Sequence, residues 1–193
     1  EKESAFVDLL TLEQEAFGET EERKSRFLAY VVPIASFAER LDQLRAEHPK
    51  ANHHVTAFRL IHPNNQIEES AKDDGEPSGT SGMPILKLLI GRRLIDVGAV
   101  VVRYFGGTKL GTGGLARAYP GAVKAALEQA PLVPWSRRVR ATLKVGFAKA
   151  SELEAMIAHA PLIILDRRFT EEGAVIDVEG PEEAVNSLAD FHA

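Results

Sequence analysis

Five glycines fall within residues 106–114 (GGTKLGTGG), and three more glycines with a proline fall within residues 73–82 (DDGEPSGTSG). Glycine admits positive φ and lets backbone N–H groups approach a ligand with no Cβ in the way. Gly106, Gly107, Gly111, Gly113 and Gly114 stand between an apolar run and a helical pattern. A helix N-terminus there would add unpaired N–H donors and a partial positive charge, which together attract an anion. Lys109 and Arg103 would supply full charges, and Thr108 and Thr112 hydroxyls. The alternative is a tight connection packed closely against a neighbouring strand. Two phosphate motifs fail on context. Residues 111–116 match G-x-G-x-x-A, but Pro131 and Pro134 follow the helix where a dinucleotide fold needs a second parallel strand. No Gly-Lys-Ser/Thr opens the helix, so a Walker A loop is excluded.

The earlier loop gathers Asp73, Asp74 and Glu76 with Ser78 and Thr80, spaced by Gly75 and Gly79. Such oxygens can hold Mg²⁺; equally they can cap a helix and satisfy backbone donors. The spacing is not that of an EF-hand. His53 and His54 stand side by side at a strand start, so they point to opposite faces and do not share one metal. One is expected to be buried or near the glycine loops and the other in solvent. His48, His62, His159 and His192 are expected at the surface. Ser78, Ser81 and His53 lack the flanking sequence of a nucleophile elbow. Tyr104, Phe105 and Tyr119 border the second glycine run beside Arg103, Lys109 and Arg117. They offer rings for base stacking and cations for phosphates, or they are core.

These residues need a scaffold, and the periodicity supplies one. Residues 25–33 read as a strand, and Ser36 as the cap of a helix running to His48 before Pro49. Residues 54–61 and 66–71 form a hairpin about the turn 62–65. Pro84 suits the first turn of a helix reaching about Leu94. Residues 97–105, apolar on both faces, form a central strand. Residues 106–114 follow as loop and 115–129 as helix. Residues 130–136 (APLVPWS) mark a boundary. Beyond it the order is strand 138–147, helix 151–160, strands 162–170 and 174–179, and helix 181–191. This is an α+β arrangement, with residues 1–133 and 134–193 as the two domains.

The chain has 193 residues, no cysteine and a net charge of −5. Disulfides and thiolate chemistry are therefore absent. The longest apolar run has strand length, and residues 1–3 (EKE) open no signal-like stretch, so a cytoplasmic protein without membrane contact is expected. Charge is unevenly placed. Residues 1–76 carry nine bases and sixteen acids, residues 77–151 twelve and two, and residues 152–193 two and ten. The basic middle third is either an anion-attracting face or is neutralised on folding.

Residues 73–82, followed by residues 101–119 (VVRYFGGTKLGTGGLARAY), closely resemble the paired signature of the IMPACT/YigZ family. Ala51-Asn-His53 is similar to that family's Ala-x-His element, and Lys24-Ser-Arg-Phe27 to its entry strand, while Val55 and Thr56 depart from it. The resemblance is strong over residues 20–130. It implies an N-terminal domain like the second domain of ribosomal protein S5, and a C-terminal ferredoxin-like α/β sandwich. It implies a non-enzymatic protein that binds RNA, the ribosome or a translation-factor partner and regulates translation. No metal or cofactor is expected. A small-molecule phosphate or nucleotide-binding enzyme or sensor, with Asp74 or Glu76 holding Mg²⁺, and a protein–protein adaptor remain the alternatives.

Overall fold

A computed structural model describes residues 8–189. The chain divides after Trp135 into two compact units. The first contains β1 (Leu10–Thr11), β2 (Ala16–Glu22), β3 (Ser25–Pro33), α1 (Ile34–Glu47), β4 (His53–Ile61) and β5 (Ile67–Lys72). It continues with α2 (Gly82–Gly91), β6 (Val97–Tyr104), α3 (Gly111–Glu128) and β7 (Val133–Pro134). Strands β2-β3-β6-β4-β5 form one antiparallel sheet with β6 at its centre.

Alternation along the strands assigns each face. Phe27, Ala29 and Val31 of β3, Val55 and Ala57 of β4, and Val97, Ala99 and Val101 of β6 point to α2 and α3. There they meet Ile85, Leu89, Leu115, Tyr119 and Val123. The intervening Leu28, Tyr30, Val100 and Val102 pack with Leu44, Phe37 and Leu41 of α1. A period of two thus sends one strand into two cores. Ile85 and Leu89 are fully buried, each contributing about 1.5–3 kcal/mol. Segment β7 pairs with β1, and Trp135 Nε1 donates to Asp96 Oδ2 at 2.8 Å.

The second unit comprises β8 (Arg138–Gly146), α4 (Ala150–Ala158), β9 (Ile163–Phe169), β10 (Gly173–Pro181) and α5 (Glu182–Ala189). Its antiparallel sheet has the order β8-β10-β9. Leu143, Ile176 and Val178 pack on Leu153, Ile157 and Leu188 of the helices. The protein is thus a mixed helix-and-sheet fold, and its three sheets among the described residues are antiparallel throughout. No helix among the described residues is long and apolar enough to cross a membrane.

Several expected boundaries move. Helix α1 starts at Ile34 after Pro33, and Ser36 makes no capping bond. The fixed φ of proline, −55° here, ends the strand and starts the helix without a hydroxyl. Helix α2 stops at Gly91, short of Leu94, which is buried beneath β1. Strand β2 hid in the acidic lead-in because Glu19, Glu21 and Glu22 are exposed and only Ala16 and Gly18 are buried. Residues 1–3 and the expected helix end at Phe191 lie outside the described residues.

Candidate functional site

The loop after β5 is folded around Asp73. Its Oδ2 accepts the Gly79 N–H at 2.7 Å, and its Oδ1 accepts those of Ser81 and Gly82 at 3.1 and 2.8 Å. Partial burial works to raise the Asp73 pKa, but the bonds from Gly82, Gly79 and Ser81 outweigh it and hold the carboxyl below its ordinary value. Asp73 therefore serves the backbone rather than a ligand. Asp74, at φ +46°, turns the chain back onto β4. Its carbonyl faces His53 Nδ1 at 2.8 Å, and its carboxylate accepts the His54 N–H at 2.7 Å. The Thr80 hydroxyl donates to the Pro77 carbonyl at 2.6 Å, while Ser78 is exposed.

This turn drives Glu76 inward, where its side chain is 5% exposed. Oε2 accepts from Arg103 Nη1 at 2.6 Å and from the Tyr119 hydroxyl at 2.7 Å. Oε1 lies 3.1 Å from His53 Nε2. His53 thus lies between the Asp74 carbonyl and the Glu76 carboxylate, one ring nitrogen toward each. Arg103 Nη2 reaches Ser25 Oγ at 3.3 Å. Burial first, then the bond to Glu76, pushes the Tyr119 hydroxyl pKa far above its usual value. Glu76 thus ties together β4, β6, α3 and its own loop.

The β6–α3 connection is shaped by the same neighbours. Ser25 Oγ accepts the Gly106 N–H at 3.1 Å, and Asn52 Oδ1 accepts that of Phe105 at 2.8 Å. Gly106 lies against the β2–β3 turn so closely that a Cβ would stand 2.1 Å from the Lys24 carbonyl carbon. The alternative reading, a glycine for close packing, is correct here. Gly111 is different: its φ is +75° and a Cβ would meet nothing. Helix α3 begins at Gly111, so residues 111–114 are its first turn rather than loop. That turn holds no acidic residue, and no side chain caps it. Its leading N–H groups therefore lack intrahelical and side-chain partners.

Two cavities flank this helix start. A pocket of about 430 Å³ is bounded by Pro77, Phe105, Leu110 and Leu115 together with Asn52, His53, Glu76, Arg103, Lys109 and Thr112. A groove of about 260 Å³ lies between the β2–β3 turn and α3, lined by Glu22, Arg23, Leu110, Gly114, Arg117 and Ala118. Leu110 borders both. Lys109, Thr108, Thr112 and Arg117 are exposed. Arg23 donates to the Lys109 carbonyl at 3.3 Å.

The two glycine-rich segments meet, as sequence reasoning required of a shared surface, but the roles within them change. Arg103 is buried on Glu76, so its charge is neutralised inside the fold. Tyr119 is fully buried and edge-on to Phe27, which removes its ring from any stacking role. Tyr104 points to the opposite face of the sheet, where its hydroxyl meets His48 Nδ1 at 2.6 Å. His48 is accordingly half-buried rather than a surface residue. His54 is not solvated either. Its side chain is 11% exposed, and burial lowers its pKa despite the opposing pull of Asp74. Both Glu76 oxygens face protein partners, and no group of three metal-binding side chains occurs among the described residues. Sequence reasoning missed Arg23, Asn52, Leu110 and Leu115 as site residues. Asn52 sits between Ala51 and His53, so only its place in that element marked it.

Known proteins match the stretch of chain that carries these residues. The Impact N-terminal domain family matches residues 23–127. The IMPACT family member YigZ of Escherichia coli (strain K12) is 39% identical over 138 residues, or 70% of this chain and 68% of its own. An IMPACT family member of Thermus thermophilus is 41% identical over 149 residues, covering 72% of this chain and 80% of its own. The matched stretch spans from 51% to 80% of the length of the curated bacterial relatives. A crystal structure of a hypothetical protein superposes with a TM-score of 0.64 at 31% identity, over 96% of this chain and 93% of that one.

Proposed function

The chain belongs to the IMPACT family, and on that premise we propose that it is a non-catalytic RNA-binding protein acting in translation in the cytoplasm. The observation that carries this reading is the set of cations Arg23, Lys109 and Arg117 around the uncapped start of α3, none in an ion pair among the described residues. Exposed cations without carboxylate partners attract phosphates and release counterions on binding. The acid–base groups nearby are committed elsewhere: both ring nitrogens of His53 and both oxygens of Glu76 face protein partners. That arrangement supports recognition rather than proton transfer.

The antiparallel sheet of the first unit, with α2 and α3 on one face, supports the reading as a domain like the second domain of ribosomal protein S5. The β8-β10-β9 order supports a ferredoxin-like second domain that lacks the last strand.

The test is RNA affinity as a function of salt. Binding is expected at low salt and weakens as salt rises; the K109Q/R117Q variant binds less tightly and has a salt slope smaller by about two. Arg103 is unsuitable for this test, since its removal would leave Glu76 buried without its cation. Absence of binding at low salt, or binding indifferent to salt, overturns the proposal.

A further inference from the structure

We propose that the pocket beside Phe105 receives one unstacked nucleobase of single-stranded RNA, with the adjoining phosphates seated across Leu110 in the Arg23–Arg117 groove. This deepens the RNA-binding reading and rests on it. The pocket and the groove share Leu110 as a common wall, so a base in one places its neighbouring phosphate at the other. A volume of about 430 Å³ falls within the roughly 300–1,000 Å³ of small-molecule pockets.

The walls have the chemistry of a base site. Phe105, directly after the central strand, is 47% exposed. The Arg103 guanidinium carbon lies 5.6 Å from its ring centre on one side, which holds the ring in place and leaves the other face for stacking. Pro77, Leu110 and Leu115 provide the remaining apolar surface. One accessible donor is uncommitted at this site. Asn52 uses its carbonyl oxygen on the Phe105 N–H, and its amide nitrogen, on an exposed residue, has no hydrogen-bond partner among the described residues. A base edge carries the ring nitrogens and carbonyls that can accept from it.

The groove holds Arg23 and Arg117 with a single acid, Glu22, and opens toward Lys109 through the Arg23–Lys109 carbonyl contact. Phosphate binding alone would suit a duplex as well as a single strand. The pocket does not, because a base within a duplex has neither its face nor its pairing edge free.

The experiment uses the full chain and fluorescence anisotropy with three probes: a short unstructured RNA, the same RNA annealed to its complement, and the same strand with abasic positions. The single strand is expected to bind about tenfold more tightly than the other two. The F105A variant loses about tenfold for the single strand only, and F105W retains the affinity; thermal melting checks that both fold. A 2-aminopurine reporter in the strand changes its emission on binding the unaltered protein, which needs no variant. Equal affinity for all three probes, with F105A neutral, leaves RNA binding intact and overturns the base pocket. No RNA binding at low salt overturns both readings. Stabilisation by a nucleoside monophosphate in the absence of RNA binding assigns the pocket to a free nucleotide and likewise overturns this proposal.

Discussion

The Arg103 Nη1 nitrogen lies 2.6 Å from the Glu76 Oε2 oxygen, and each side chain is 5% exposed. This pair joins the central strand to the first glycine-rich loop, and Tyr119 adds α3 to it through the same oxygen. The two segments that stand out in the sequence are thus one structural unit. Its polar groups pair mainly with one another, while Phe105, Lys109 and Thr112 are exposed beside them.

Breaking this pair from the acid side leaves a buried guanidinium without its counter-charge. The E76A variant is expected to lose about 3–5 kcal/mol of stability, read from urea unfolding. E76Q keeps hydrogen-bonding capacity and loses less. Replacing both partners, as R103M/E76L, recovers much of the loss, because neither charge then remains buried. An E76A midpoint equal to that of the unaltered protein would refute the hub.

Two glycines of the second segment separate by mechanism. In G106A the new Cβ meets the Lys24 and Ser25 backbone at 2.1–2.4 Å, so the turn or the loop must shift. The expected cost is at least the upper end of the range of about 1–3 kcal/mol for overpacking, and RNA affinity falls with the displaced loop. In G111A the Cβ has open space, and only the φ of +75° is unfavourable, costing about 1–2 kcal/mol. Unfolding midpoints in the reverse order would show that the loop is not held against the β2–β3 turn.

His54 gives the fold an acid sensitivity. Burial lowers its folded-state pKa; Asp74 pulls the other way, and Arg45 reinforces the lowering. The folded value therefore lies below the unfolded one, near 6.5. The stabilisation is complete above that pH and is lost as pH falls toward and through the folded value. Unfolding free energy should decline below about pH 6.5, with a slope of up to about 1.4 kcal/mol per pH unit. H54Q should flatten that part of the curve. A slope unchanged by H54Q would assign the sensitivity to another group.

The sequence by itself determined the order of most elements, the central place of the strand read over residues 97–105 and the two glycine-rich segments that carry the family resemblance. These follow from local periodicity and from glycine and proline, whose backbone limits act within a few residues. It also left two roles open for Gly106 and for Asp73, and in both the packing and capping role holds. Only the tertiary structure decided which polar residues are exposed and which are paired inside the fold. Arg103, Tyr104 and Tyr119 read alike as cations and rings beside a loop. Strand alternation sends Tyr104 to the α1 face, and the helical turn buries Tyr119. Whether Arg103 is a free charge depended on Glu76, 27 residues away, and the pocket on Asn52 before β4 meeting Leu110 and Leu115 at the start of α3. Pairing and exposure depend on residues distant in the chain, which local pattern does not encode.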